Sequence, residues 1–162
     1  MDLLLISLII HVPAISIWIG LSLWDTFVMV TPSIEQQEKA RLIGKTAFLT
    51  LLLLVIILIT GIYQTIENPF RSIESYNDLS NLRKDTDYGM ALFVKHIFVI
   101  LTFIVSPIIR FYLAPRAGKV AMSSGGAAVA GDTKLLMIAT LVNFALCMAA
   151  LVATSRMTFE LH

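Results

Sequence analysis

Charge is scarce in this sequence. Only 14% of its 162 residues are Asp, Glu, Lys or Arg, against 57% that are hydrophobic, and the mean hydropathy is +0.85. A soluble domain of this length shows water far more polar surface, so that class is excluded. The net charge is +1, and no general attraction to nucleic acid follows from it. There is one cysteine, Cys147, inside an apolar run. It has no partner for an internal disulfide and says nothing about redox compartment. The N-terminus lacks the basic stretch of a signal peptide, since Asp2 is the only charged residue before Asp25. The apolar run there is too long for a signal and no small-residue cleavage site follows, so it reads as a retained first helix.

What the chain has in quantity is long apolar runs parted by charged clusters, the pattern of repeated bilayer crossing. Spans are expected at about 3–30, 42–66, 88–113 and 133–155, each long enough for a hydrocarbon core of roughly 30 Å. Thr31-Pro32, Asn68-Pro69 and Pro115 mark expected stops. The fold class is all-α: an integral membrane up-down four-helix bundle, with residues 1–162 as one membrane domain. Loop 32–41 is short and polar. Loop 67–87 is the longest and most acidic, and its segment Tyr76 to Lys84 is expected to form a short surface helix. Loop 114–132 contains the small-residue run Met122 to Asp132, which reads as a flexible linker.

Basic residues set the orientation. Lys39, Arg41, Lys45, Arg110, Arg116, Lys119 and Lys134 share one side. Arg71, Arg83, Lys84 and Arg156 share the other, with most of the acids. The basic side is expected in the cytoplasm, with both termini extracytoplasmic in a multi-pass cell-membrane protein.

Ionisable residues within spans are costly and usually face the bundle interior. Here His11 and His96 lie on the first and third spans, which run in the same direction. Each is about eight residues from its outer end, so the imidazoles share a depth of roughly 12 Å. The registry continues: Asp25 is fourteen residues after His11, and Arg110 fourteen after His96. Fourteen residues is nearly four turns, which keeps each pair on one helix face. Both histidines can point inward near the outer leaflet, as metal or cofactor ligands or as polar packing residues. Asp25 and Arg110 can meet near the inner leaflet as a structural ion pair.

On the fourth span Cys147 and Met148 fall in the histidine layer, with Thr60 of the second span close to it. Imidazole, thiolate and thioether together suit copper, although Cys and Met also fill gaps in apolar cores. Lys95 either snorkels outward or turns inward to bind a carboxylate such as a haem propionate. Trp18 and Phe103, each seven residues beyond a histidine, form a pocket floor or plain packing. Thr140, Asn143, Cys147, Ala150 and Thr154 make a small-polar stripe suited to close helix contact. Pro13 and Pro107 are expected to kink their helices.

Three segments carry a family resemblance. His11-Val-Pro-Ala-Ile-Ser-Ile-Trp18-Ile-Gly20 resembles the opening of copper-resistance protein D-like membrane proteins. Thr60-Gly61-Ile62-Tyr63 is similar to the Thr-Gly-Leu-Tyr of that group. Tyr88-Gly89-Met90-Ala91-Leu92-Phe93-Val94-Lys95 resembles its Tyr-Gly-Arg-Leu-Leu-x-x-Lys, with Met90 in place of the basic residue. The related HemJ-type protoporphyrinogen oxidases also have four helices. By that similarity His11 is a haem ligand and Lys95 the matching lysine.

Three functions are therefore expected to compete. One is a membrane protein holding b-type haem or copper through His11 and His96, for electron transfer or copper handling. The second is a cofactor-free accessory subunit of a larger respiratory or copper-dependent complex. The third is an enzyme acting on a tetrapyrrole. No catalytic residue is assigned. Besides the lipid bilayer, the expected partners are other membrane subunits or further copies of the chain.

Overall fold

A computed structural model describes residues 3–67, 77, 81, 84, 86–123 and 126–159 of the chain. Every regular element among them is helical. In chain order these are α1 (Leu3–Val30), α2 (Gln36–Lys45), α3 (Ala47–Ile66), α4 (Asp87–Pro107), a π-helical turn (Ile108–Leu113), α5 (Ala114–Ser123) and α6 (Gly126–Phe159). Four rods result, because α2 and α3 run on through Thr46, and α4 and α5 through the π turn. All four are long and apolar enough to cross a membrane.

The rods pack antiparallel in sequence order around a ring. Ser7 and His11 of α1 meet Thr60 of α3. Ser22 of α1 meets Asn143 of α6, and Ser106 of α4 meets the same asparagine. α1 and α4 stand diagonally opposite, and α3 and α4 touch least of the neighbouring pairs. The core falls into two parts. The upper one gathers Ala14, Trp18, Leu53, Leu54, Ile57 and Cys147, with Phe103 packed against it. The lower one gathers Met29, Ala40, Ile43, Ile109, Ala117 and Leu136 among others. Outside, Leu, Ile, Val and Phe side chains are exposed along every rod. That inverts the usual division of a soluble fold.

Two segments expected as loops are helical. In α2, Lys39, Ala40 and Ile43 are buried while Gln36, Gln37, Arg41 and Lys45 face out. That one-sided spacing gives the segment an apolar stripe despite its polar composition. In α5, Ala114 and Ala117 are buried and Arg116 and Lys119 exposed. The two short helices lie against each other, with Gly118 facing Ala40: a Cβ there would stand 3.5 Å from Cβ of Ala40, an ordinary contact. The linker expected at 122–132 is also largely helical, since α6 begins at Gly126.

Pro115 does not end the third rod. A proline ring clashes with the carbonyl four residues back and offers no N–H to it. The π turn immediately before removes that demand, and the Ala114 N–H reaches the Ile109 carbonyl instead. Pro107 opens that turn, whereas α1 continues unbroken through Pro13. The surface helix expected at 76–84 lies outside the described residues except for Asn77, Asn81 and Lys84, which are helical.

Candidate functional site

All four rods contribute to one cavity of about 330 Å³ in the upper half of the bundle. His11 and Trp18 come from α1, Gly61 and Gln64 from α3, Lys95 and His96 from α4, and Cys147 and Thr154 from α6. The two histidines expected at equal depth thus face a common space. Its volume lies within the few-hundred-Å³ range of small-molecule sites.

Hydrogen bonds fix how each imidazole presents itself. Nδ1 of His96 is 2.7 Å from the Leu92 carbonyl one turn back. A carbonyl oxygen only accepts, so Nδ1 donates and carries the proton. Nδ1 of His11 is 2.6 Å from Oγ1 of Thr60. That hydroxyl gives its own single proton to the Ile56 carbonyl at 2.6 Å, so it accepts from His11. In both neutral imidazoles the remaining nitrogen, Nε2, therefore holds a free lone pair. Metal-ligating histidines are commonly arranged this way, the second ring nitrogen donating to a fixed acceptor that sets tautomer and tilt. Gly61 completes the setting of His11, since a Cβ there would stand 3.3 Å from its Cε1.

Two donors in the lining are unused. Trp18 is 3% exposed, and its Nε1 has no hydrogen-bond partner. A buried N–H left unmade carries a desolvation penalty, and a ligand acceptor in the cavity would relieve it. Lys95 is half-buried and turned to the cavity, with no hydrogen bond or ion pair among the described residues. The inward of its two expected orientations is the one adopted.

The soft ligands separate. Cys147 lines the cavity at 1% exposure, with its thiol 3.5 Å from Oγ of Ser22. Met148 is 38% exposed on the outer flank and does not line the cavity. It shares the depth of Cys147, but the next residue on a helix is turned by about 100°. Of the expected His, Met and Cys residues, His11, His96 and Cys147 line the cavity and Met148 does not. Among the described residues no three His, Cys, Asp or Glu side chains are grouped closely enough to hold a metal ion. His162 lies outside the described residues.

Below the cavity a buried polar thread crosses the bundle. Asn143 Nδ2 donates to Ser22 Oγ at 3.2 Å, and Ser106 Oγ donates to Asn143 Oδ1 at 2.8 Å. One turn further, Arg110 Nη2 meets Asp25 Oδ2 at 2.6 Å, their side chains 2% and 3% exposed. Arg110 Nη1 also donates to Thr46 Oγ1 at 2.7 Å and to the Ile43 carbonyl at 3.2 Å. The guanidinium therefore pins the junction of α2 and α3, a role its spacing to His96 did not suggest. Gln64 was also missed, although it follows Thr60 by one turn and donates to Ser7 at 3.1 Å beside the cavity.

No family model matches the chain, and neither a curated protein nor a solved structure is similar enough to it to be matched. The functional reading rests on the residues described above.

Proposed function

We propose that the chain crosses a cell membrane four times, with both termini on the extracytoplasmic side, and ligates one b-type haem between His11 and His96 for electron transfer. The apolar outer faces support membrane insertion, because they would be unstable against water over this extent. The excess of Lys and Arg on the side of segments 32–41 and 114–132 supports the orientation.

The observation that carries the haem reading is the pair of histidines, each with Nδ1 held against a fixed oxygen, on diagonal helices around one cavity. Two imidazoles satisfy the axial positions of a b-type haem. Copper held by the protein alone would want a third close ligand, and no such group of three is present among the described residues. Lys95 and the Trp18 N–H suit the carboxylates of such a group. A haem is larger than the cavity, so seating it requires the rods to part, and α3 and α4, which both line the cavity, touch least of the neighbouring pairs. When bound, the haem supplies one-electron chemistry. The protein contributes axial bases, a low-dielectric wall and a cation for the acid groups. The resemblance of the His11 and Lys95 segments to HemJ-type proteins supports a haem ligand at His11.

The test is an absorption spectrum of the purified chain, oxidised and dithionite-reduced, with iron and copper measured on the same sample. Sharp reduced bands with about one iron per chain are expected. A colourless sample rich in copper would overturn the haem reading. A colourless, metal-free chain that travels with larger subunits would replace it with a cofactor-free accessory subunit.

Thr60→Val gives a finer check. It keeps the shape of the side chain but removes the acceptor that orients His11. Loss of such a supporting bond typically weakens metal retention about 10- to 100-fold. Transfer of haem to an apo-globin acceptor should be faster by that order. An unchanged rate would show that Thr60 does not orient the ligand.

A further inference from the structure

A second cavity, of about 430 Å³, lies at the opposite end of the bundle, where α1 ends, α2 begins and α6 passes. Met29, Gln36, Lys39, Thr133, Lys134 and Met137 line it. It is distinct from the histidine site and uses none of its residues.

Its charges are unbalanced. Lys39 is only 5% exposed, and its Nζ donates to the Met29 carbonyl at 3.0 Å, near the C-terminal end of α1. That bond occupies one of three ammonium donors. Lys134 faces the same cavity and has no hydrogen bond or ion pair among the described residues. Among the described residues no carboxylate lines the space. The nearby acids are engaged elsewhere: Glu38 is held by Arg41 at 2.6 Å, and Asp132 by Arg116 at 3.1 Å. Glu35 is exposed and outside the lining. Two ammonium groups thus share a space with no carboxylate partner among the described residues, and one of them belongs to a side chain only 5% exposed. A buried charge is stable when paired, and a single neutral carbonyl compensates it weakly.

The surroundings add to the same sign. Gln36 is the first residue of α2, a helix whose N-cap makes no side-chain capping bond. The positive end of that helix favours an anion nearby. Gln36 and Thr133 offer neutral donors, and the two methionines form a soft apolar floor.

We propose that this cavity binds a phosphate group held between Lys39 and Lys134. Phosphate is favoured over a carboxylate because its several oxygens can accept from two ammonium groups at once. The phosphate can belong to an anionic phospholipid headgroup or to a free phosphate, and one experiment distinguishes them.

The full chain in detergent is offered phosphatidylglycerol and phosphatidylcholine at equal concentration, and bound lipid is counted by native mass spectrometry. Inorganic phosphate is then titrated, with the thermal midpoint recorded. Preferential retention of phosphatidylglycerol, cut about tenfold by Lys134→Gln and unaffected by Lys45→Gln, supports a lipid headgroup. Stabilisation by inorganic phosphate that Lys134→Gln abolishes, without lipid preference, supports a free phosphate. If neither ligand distinguishes wild type from Lys134→Gln, the proposal is overturned. Lys134 is exposed, so its replacement leaves the fold intact even though Lys39→Gln would also uncap α1.

Discussion

Replacing either His11 or His96 with alanine is expected to abolish the sharp reduced bands of a bis-imidazole haem, and replacing both should leave the chain colourless. The two rings line one cavity, and among the described residues the lining offers no third imidazole. Neither single variant can therefore restore two-imidazole ligation. Cys147 is the one remaining lining side chain with metal affinity, and its thiol is turned to Ser22. Each single variant should hold substoichiometric haem with broad, high-spin bands, measured by reduced-minus-oxidised spectra at matched protein concentration. His11→Ala also frees the Thr60 hydroxyl, whereas His96→Ala leaves only a helix carbonyl that already serves the backbone ladder. The fold should survive both, since neither ring belongs to the two hydrophobic clusters. Full spectra in both variants would sink the axial assignment.

Asp25→Ala is expected to be among the most destabilising single changes in the chain, by about 3–5 kcal/mol. The cost is not the lost attraction alone. It arises because Arg110, 3% exposed, keeps its charge in the interior with only Thr46 Oγ1 and the Ile43 carbonyl as acceptors. Removing both charges with Asp25→Leu and Arg110→Met should recover most of the loss, as apolar replacements of buried ion pairs often do. The recovery will be incomplete, because Arg110 also ties Thr46 at the junction of α2 and α3. Detergent-to-SDS unfolding titrations of the two single variants and the double variant close the cycle. A loss below about 1 kcal/mol for Asp25→Ala would mean that water reaches the pair.

The residues that announced the site did so through registry. His11 and His96, then Asp25 and Arg110, repeat one interval on two co-directional spans, and the structure places each pair together. Such an interval is readable because helix geometry converts separation in sequence directly into depth. Rotation about the helix axis is not fixed by depth. Met148 shows this: it shares a level with Cys147 yet faces outward. The polar segments were under-read for a related reason. α2 and α5 hide short apolar stripes, Ala40 with Ile43 and Ala114 with Ala117, inside compositions that resemble loops. Pro115 looked like a stop because its tolerance depends on the π turn before it, a local backbone choice that no residue pattern declares.

The polar thread from Ser22 through Asn143 to Ser106 has a consequence for topology. Four rods can be ordered around a ring in more than one way, and in hydrocarbon the alternatives bury similar aliphatic surface. Leucine against leucine is worth little more than leucine against lipid, so apolar contacts discriminate poorly between them. Asn143 cannot be satisfied so cheaply. It makes its two bonds to opposite neighbours, one on α1 and one on α4, and so fixes those two as the rods that flank α6. One amide thereby specifies the neighbours of the last rod, a choice that its many aliphatic contacts leave nearly degenerate.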